Sequence, residues 1–298
     1  MLRLITVLSV IVFSWSAQAE IRVQDELGEL VLDSVPQRVV ALEFSFVDAL
    51  AALGVSPVGV ADDGDASRLI GPIRDQLDEW TSLGVRSQPS LEVIAALKPD
   101  LIIADVERHA AVYEDLKRIA PTLILKSRGE TYEDNLDAVL KVAEAFGQQD
   151  LMEQRIAEHH RIMDGYAAQL DSDATVMFAV SSVKGVYMHG PQAYAGGVVH
   201  RLGLRSPLPQ DTEQPYIQAT LERLVQTNPD YLLVGEYGDQ TAVDEFKQNP
   251  LWSVMASVRQ DTYVETDPRL WSLNRGMISA EIMAAELVKL LSTSTASR

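Results

Sequence analysis

Arginine side chains recur beside the predicted strands of the N-terminal half. Arg108 lies in "DVERHA" directly after "DLIIA", Arg128 lies in "KSRGET" directly after "TLILK", and Arg68 lies beyond "PVGVA". Arg86 lies in "GVRSQPS", just before a predicted helix. Loops at the carboxyl ends of parallel strands form the ligand crevice of an open sheet, so we expect these guanidinium groups to converge. Because a guanidinium binds a carboxylate through two parallel hydrogen bonds, the pattern predicts a site for a polycarboxylate anion.

A second group of candidate residues lies in the C-terminal half. The segment "PRLWSLNRGMISAE" places Trp271 and Arg275 in a loop before the last predicted helix. An aromatic ring beside an arginine suits a ligand that is partly apolar and partly anionic. A core position for Trp271 is equally compatible with the sequence. Tyr194, in the glycine-rich loop "HGPQAYAGG", is a further candidate ligand contact.

One segment occurs twice, as "SLEVIAALKPDLIIA" in the first half and "TLERLVQTNPDYLLVG" in the second. Ser90 and Thr220 have the positions and chemistry of helix N-caps. Glu92 and Glu222 then fall in first helical turns, where a carboxylate offsets the helix dipole. That local role accounts for each glutamate separately, and their recurrence indicates that the two halves share one design.

Enzyme signatures are missing from the sequence. There is no G-x-S-x-G, no H-E-x-x-H, no P-loop and no G-x-G-x-x-G. The five histidines show no metal-ligand spacing on a helix face. Apart from Glu43 and the acids of "DDGDAS", no carboxylates are expected to converge on a metal ion. The sequence therefore favours a binding protein over an enzyme, with no protein-bound metal and no cofactor.

The elements that must position these residues alternate regularly. Short aliphatic strands are separated by helix-length segments in both halves, a pattern typical of parallel sheets covered on both faces. Residues 131–170 favour helix, with one interruption near Gly147. We predict an α/β fold of two similar lobes with mainly parallel central sheets, bridged by one long rigid helix. The predicted boundaries are residues 20–147 for the first lobe, 148–171 for the connecting helix and 172–298 for the second lobe.

The first residues and the composition predict the compartment. "MLRLITVLSVIVFSWSAQAE" carries one arginine, a short apolar stretch and a small-x-small site, which predicts a signal peptide over residues 1–19. The apolar stretch is well short of the roughly 20 residues that cross a bilayer. The chain has no cysteine and a formal net charge of −18, which disfavours disulfides, a lipidated cysteine and nucleic acid as a partner. A soluble, monomeric periplasmic protein is expected.

Several segments together resemble the periplasmic siderophore-binding proteins of ABC importers. They are the signal peptide, the helical connector, the ending from Trp271 to Arg275, "PQRVVAL", "GVRSQPSLEVIAALKPDLIIA" and "RIAPTLILKSRGETY". The resemblance is strongest over residues 36–132 and, within that family, greatest to the binders of ferric dicitrate. It implies two lobes bridged by a long helix, with a chelate held in the cleft between them and passed to an inner-membrane permease dimer.

The resemblance also implies roles for individual residues. Arg86 matches the ligand-binding arginine ahead of the repeated helix, and Trp271 matches a tryptophan in the cleft. Glu92 and Glu222 match the acids that dock onto the two permease subunits. The expected ligand is an anionic ferric chelate, ferric dicitrate, whose iron is coordinated by the chelator. The alternatives are another siderophore or a corrinoid and, from a different class, a secreted α/β hydrolase, which turnover of an ester or phosphate would reveal.

Overall fold

The computed structural model describes residues 20–170 and 173–295. The predicted signal peptide, residues 1–19, lies outside the described residues, and so does the predicted start of the second lobe at residues 171–172. None of the helices in the described ranges combines the length and the apolar composition needed to cross a bilayer.

The first sheet is built from short parallel strands, as the runs of consecutive apolar residues predict. The strands of this lobe are β1 (Ile21–Gln24), β2 (Glu29–Leu32), β3 (Val39–Ala41), β4 (Gly59–Val60), β5 (Thr81–Ser82), β6 (Gly84–Val85), β7 (Gln88–Pro89), β8 (Leu101–Asp105) and β9 (Thr122–Leu125). The sheet order is β5-β4-β3-β8-β9, with all neighbours parallel. Two antiparallel hairpins, β1–β2 and β6–β7, lie outside this sheet. The carboxyl ends of the parallel strands share one edge, which brings their following loops together.

The second sheet combines parallel and antiparallel pairs. Its strands are β10 (Val176–Ser182), β11 (Gly185–His189), β12 (Tyr216–Ala219), β13 (Tyr231–Tyr237) and β14 (Tyr263–Thr266), in the order β12-β11-β10-β13-β14. β10, β13 and β14 are parallel, as predicted. β11 and β12 extend the sheet as antiparallel strands that the sequence did not reveal. The predicted pair of α/β lobes is confirmed, and the second lobe differs from the first by this extension.

Helices cover both sheets and connect the lobes. They are α1 (Phe44–Ala52), α2 (Gly71–Arg74), α3 (Leu91–Leu97), α4 (Val106–His109), α5 (Tyr113–Ile119), α6 (Tyr132–Ala145), α7 (Gln149–Ala167), α8 (Tyr194–Arg201), α9 (Leu221–Thr227), α10 (Ala242–Lys247), α11 (Ala256–Arg259) and α12 (Met277–Thr295). Gly147 separates α6 from α7 with a φ of +64°, a conformation that glycine adopts without steric cost. The 19-residue α7 leads from the first sheet toward the second.

Both copies of the repeated segment have the predicted N-caps. The hydroxyl of Ser90 accepts a hydrogen bond from the Val93 N–H at 3.3 Å, and that of Thr220 accepts one from the Arg223 N–H at the same distance. Each helix ends on a left-handed residue, with φ of +48° after α3 and +45° after α9. The two helices therefore begin and end in the same way.

The aspartate of each Pro-Asp pair has a structural role that the repeat did not reveal. Asp100 accepts hydrogen bonds from the backbone N–H groups of Gln37 and Arg38, both at 2.8 Å. Asp230 accepts from the Thr175 N–H at 2.8 Å and from its hydroxyl at 2.7 Å. Each aspartate thereby anchors the residues that lead into β3 or β10, the strand of its five-stranded sheet that comes first in sequence, and this accounts for the shared Pro-Asp.

A buried contact joins α1 to the start of α12. Asp48 accepts hydrogen bonds from the N–H groups of Ile278 and Ser279 at 3.4 and 3.3 Å, and its burial raises the pKa of its carboxyl to about 7. A Cβ atom at Gly276 would lie 2.1 Å from the Asp48 Cγ, so no larger residue fits there. This contact places Arg275, the preceding residue, against the first lobe.

Candidate functional site

Three of the predicted arginines converge on one buried carboxylate, Glu43, which follows β3. Its side chain is fully buried. Arg108 Nε lies 2.6 Å from Glu43 Oε1, while Arg86 Nη1 and Arg275 Nη2 lie 3.3 and 3.6 Å from Oε2. These guanidinium groups come from the turn between β6 and β7, from α4 and from the segment before α12. We call Arg68, Arg86, Arg108, Arg128 and Arg275 the arginine cluster.

Asp63, in the loop after β4, adds Arg68 to this cluster. Its Oδ2 atom lies 2.9 Å from Arg86 Nη2 and 3.1 Å from Arg68 Nε. Burial alone would raise the pKa of Asp63, but hydrogen bonds and charge from Arg86, together with the charge of Arg68, hold it below its usual range. Asp63 therefore remains an anion that orients two arginines.

Arg275 is held mainly by residues of the first lobe. Its Nε atom donates to Glu130 Oε1 at 2.8 Å, and its Nη2 atom donates to the Ser127 hydroxyl at 2.9 Å. Burial raises the pKa of Glu130 to about 8. Burial opposes the charge on Arg275 as well, but Glu130, Tyr216 and Glu43 raise the pKa of the guanidinium above its ordinary value. Arg275 therefore stays cationic in a site with almost no solvent.

The backbone around the cluster is organised by Asp105, the last residue of β8. Its Oδ1 accepts from the Arg108 N–H, and its Oδ2 accepts from the N–H groups of Ser127 and Arg128, all at 2.8 Å. His109 Nδ1 accepts from the Asp105 N–H at 2.9 Å, so its Nε2–H donates to the Arg86 carbonyl at 2.7 Å. One aspartate and one neutral histidine thus hold the loops of three arginines.

The five arginines differ in how far they reach solvent. The side chains of Arg86 and Arg275 are each 7% exposed, whereas those of Arg108, Arg68 and Arg128 are 17%, 33% and 46% exposed. Arg68, Arg108 and Arg128 face their carboxylate partners through Nε. Among the described residues, their terminal nitrogens have no hydrogen-bond acceptor. We call these three the outer arginines, and Arg86 and Arg275 the inner arginines.

The second lobe supplies the opposite wall of the cleft. The Arg128 guanidinium lies 5.8 Å from the ring centre of Tyr216, and His189 packs 4.8 Å from the same ring. Burial and the charge of Arg275 lower the pKa of His189 to about 3, so this imidazole is neutral at physiological pH. Beside Arg68, residues of both lobes, including Tyr237 and Arg269, line a depression of about 530 Å³.

Two predicted ligand contacts, Trp271 and Tyr194, lie in the protein core, which argues against a direct contact with the ligand. Trp271 is fully buried, with its ring 5.4 Å from Phe178 and its Nε1–H donating to Glu286 at 2.8 Å. Tyr194 is 2% exposed, and its hydroxyl donates to the Gly276 carbonyl and accepts from the Gly276 N–H. Both side chains stabilise the core around the start of α12. Tyr216 lies beside Arg128, and the buried Phe44 ring lies 4.6 Å from the Arg86 guanidinium.

Replacing Trp271 with phenylalanine tests this reassignment. We expect a loss of about 2–3 kcal/mol in the free energy of unfolding, because the smaller ring leaves a cavity and loses the hydrogen bond to Glu286. Ligand affinity should stay within about twofold, since the indole makes no contact with the cleft. Chemical denaturation and a binding titration of the same variant separate the two effects. A large loss of affinity in a stably folded variant would restore Trp271 as a ligand contact.

Glu92 and Glu222 lie on the surface, one in each lobe. Both side chains are exposed in the first turn of their helices, α3 and α9. Hydrogen bonds from its own N–H and from the Thr220 hydroxyl hold the pKa of Glu222 below its usual range. Within residues 20–170 and 173–295, neither glutamate pairs with a cationic side chain. Both carboxylates are therefore available to an external partner.

The acidic side chains near the cleft form hydrogen bonds or ion pairs with other protein groups. Asp62 accepts from the Trp80 indole at 3.1 Å and from the Ser82 hydroxyl, while Asp63 and Glu43 bind arginines. Over the part of the chain that the structure describes, no group of three or more metal-ligating side chains is found. The arrangement is suited to holding an anion by its oxygen atoms.

The sequence analysis noted Glu43 and the acids of "DDGDAS" only as exceptions in the search for a metal site, and it did not identify Asp105 or Glu130. Glu43 and Asp105 each occur at the carboxyl end of a β-strand, the same position that identified the arginines. The position at a strand end could therefore have indicated both carboxylates from the sequence. Glu130 lies near Arg128 in sequence, but nothing local indicates that its partner is Arg275.

Comparison with known proteins gives a consistent picture. Residues 39–270 match the periplasmic binding protein family. The Fe(3+) dicitrate-binding periplasmic protein FecB of Escherichia coli is 43% identical over 269 residues, which cover 90% of this chain and 89% of that protein. The Fe(3+)-citrate-binding protein YfmC of Bacillus subtilis is 37% identical and covers 90% of this chain and 84% of its own length.

The fold is also shared with solved structures. Staphylococcus aureus SirA complexed with staphyloferrin B aligns with a TM-score of 0.81 at 21% identity, covering 91% of this chain and 98% of that chain. Petrobactin-binding protein YclQ of Bacillus subtilis aligns with a TM-score of 0.76 at 20% identity, covering 92% of this chain and 99% of that chain. With the family match and the relatives above, these likenesses show that the chain belongs to the periplasmic binding protein family and is a substrate-binding protein, not an enzyme.

Proposed function

We propose that this protein captures an anionic ferric chelate, ferric dicitrate, in the cleft between its lobes and delivers it to an ABC permease. The observation that carries the proposal is the state of the outer arginines Arg68, Arg108 and Arg128. Within the described ranges, their terminal nitrogens donate no hydrogen bond, although their backbones or Nε atoms are held in place. Preorganised guanidinium groups of this kind match a ligand with several carboxylates.

The relatives support a citrate chelate over other siderophores. FecB and YfmC, which share 43% and 37% of their aligned residues with this chain, are named for binding ferric dicitrate or ferric citrate. We propose that iron enters the cleft only inside its chelate, because the nearby acids Glu43, Asp63 and Glu130 are each bound to an arginine. Tyr216 would provide an apolar surface for the citrate methylenes beside Arg128.

Delivery is proposed to use the two exposed glutamates. Glu92 and Glu222 occupy equivalent positions on the two lobes, so a monomer can present one acid to each subunit of a permease dimer. Export through the signal peptide at residues 1–19 would place the mature protein in the periplasm, where it acts as a soluble monomer.

A calorimetric titration of residues 20–298 tests the ligand. We expect saturable binding of ferric citrate prepared with excess citrate, and at least tenfold weaker binding of iron-free citrate, which presents fewer carboxylates at once. A ferric trihydroxamate, which has no carboxylates for the outer arginines, should give no saturable heat. Binding of the trihydroxamate alone would refute the citrate assignment while leaving the family membership intact.

A further inference from the structure

The position of Glu43 inside a ligand-binding cluster needs a functional reason. Its carboxylate is fully buried, and its polar contacts within the described residues are the guanidinium groups of Arg86, Arg108 and Arg275, at 2.6 to 3.6 Å. Although Glu43 occupies the N-cap position of α1, its side chain accepts no hydrogen bond from that helix. The carboxylate is therefore dedicated to the arginines and not to capping.

Without Glu43, the same three guanidinium groups would form an anion site by themselves. Arg86 would still be held by Asp63, and Arg275 by Glu130 and Ser127, so both would keep their positions. Burial and the nearby arginines lower the pKa of Arg108, and Glu43 opposes this effect. A cluster of partly buried cations that loses one of its carboxylate partners attracts any small anion that can reach it.

We propose that Glu43 is a resident carboxylate that occupies the inner anion position and thereby excludes small inorganic anions from the cleft. Sulfate or phosphate gains little from the inner arginines while the Glu43 carboxylate neutralises their charge. A chelate with several carboxylates does not need that position, because it binds the terminal nitrogens of Arg68, Arg108 and Arg128 together. This role rests on the proposed function, since it explains how an anion site stays free for a polycarboxylate ligand.

Glu43→Gln is the variant that tests this role, because it removes the charge and retains the shape. Glu107→Gln is the matched control: Glu107 faces Arg128 at 3.5 Å, but its side chain is 58% exposed. Each protein is titrated with sodium sulfate at constant ionic strength, balanced with sodium chloride, and followed by thermal unfolding. We expect the dissociation constant for sulfate to fall roughly tenfold or more in Glu43→Gln alone, as the size of a charge–charge interaction at about 5 Å implies.

Equal responses of the wild type and both variants to sulfate would overturn the proposal. A thermal shift that is the same in all three proteins reports only the general stabilising effect of sulfate, which is excluded from protein surfaces. If Glu43→Gln is unfolded in chloride but folds in sulfate, the result supports the proposal, because sulfate that binds the native state stabilises it. If the variant is unfolded in both salts, Glu43 is required for folding instead.

Titration with ferric citrate separates this inference from the proposed function. The inference expects sulfate to compete with ferric citrate in Glu43→Gln and not in the wild type. If the wild type binds no ferric citrate, the ligand assignment fails while the sulfate result still decides the role of Glu43. If the wild type binds ferric citrate and Glu43→Gln gains no affinity for sulfate, the proposed function stands and the inference fails.

Discussion

Replacing Arg108 and Arg128 together with glutamine is expected to weaken ferric citrate binding by about 100-fold or more. Each guanidinium can make a charge-assisted pair with a ligand carboxylate, and one such pair contributes roughly tenfold or more in affinity. Partial exposure of Arg128 reduces its share through solvent screening. Calorimetry at one fixed ionic strength measures the change directly.

The fold should survive this double substitution. Asp105 binds the backbone N–H groups of Arg108 and Arg128, and glutamine retains both N–H groups. Arg161→Gln is the matched control, because this arginine lies on α7 with 72% of its side chain exposed. Unchanged affinity in a folded Arg108→Gln, Arg128→Gln protein would exclude the outer arginines as the ligand-binding groups.

Reversing Glu92 and Glu222 to lysine is expected to reduce iron uptake in cells by at least tenfold while leaving ligand affinity unchanged. Two acids on separate lobes would meet basic surfaces on the two permease subunits, and like charges at such an interface disfavour the complex. Uptake of radiolabelled iron as ferric citrate and calorimetry of the purified variant measure the two quantities separately.

A control with the same change of charge distinguishes docking from bulk electrostatics. Glu133 and Asp150 are exposed acids in the first turns of α6 and α7, so their double reversal alters the net charge by the same amount. Uptake should remain near the wild-type level in this control. If both double variants lose uptake equally, or if Glu92→Lys, Glu222→Lys transports normally, the two glutamates serve only their own helix dipoles.

The sequence predicts local features of the chain correctly, because each of them depends on residues that are close together in sequence. The N-caps at Ser90 and Thr220 follow from side-chain hydrogen bonds three residues along the helix. The parallel strands follow from runs of buried aliphatic residues, and the break near Gly147 follows from its backbone freedom. Because the carboxyl ends of parallel strands lie at one edge of the sheet, the arginines that follow these strands converge at that edge.

The sequence predicted fewer of the strands in the second lobe, and the reason is physical. The antiparallel strands β11 and β12 lie around a glycine-rich helix and a long loop, and the alternation of buried and less buried residues in them extends over only five and four residues. Tyr216, on β12, therefore escaped notice as a wall of the cleft. The sequence left Trp271 undecided between the cleft and the core, because a tryptophan in a loop can turn inward or outward and packing against Phe178 and α12 determines which.

The sequence alone predicts a two-lobed α/β binding protein, which the fold and the relatives confirm, and it also predicts an anion site built from arginines near strand ends and one exposed acid per lobe. Only the tertiary structure identified the pairing of those arginines with Glu43, Asp63 and Glu130. The chain contains 43 acidic residues, and nothing local selects which of them a given arginine will meet. Arg275 and Glu130 are 145 residues apart and are brought together by the contact between α1 and α12. Partners chosen by packing over such separations become visible only once the chain is folded.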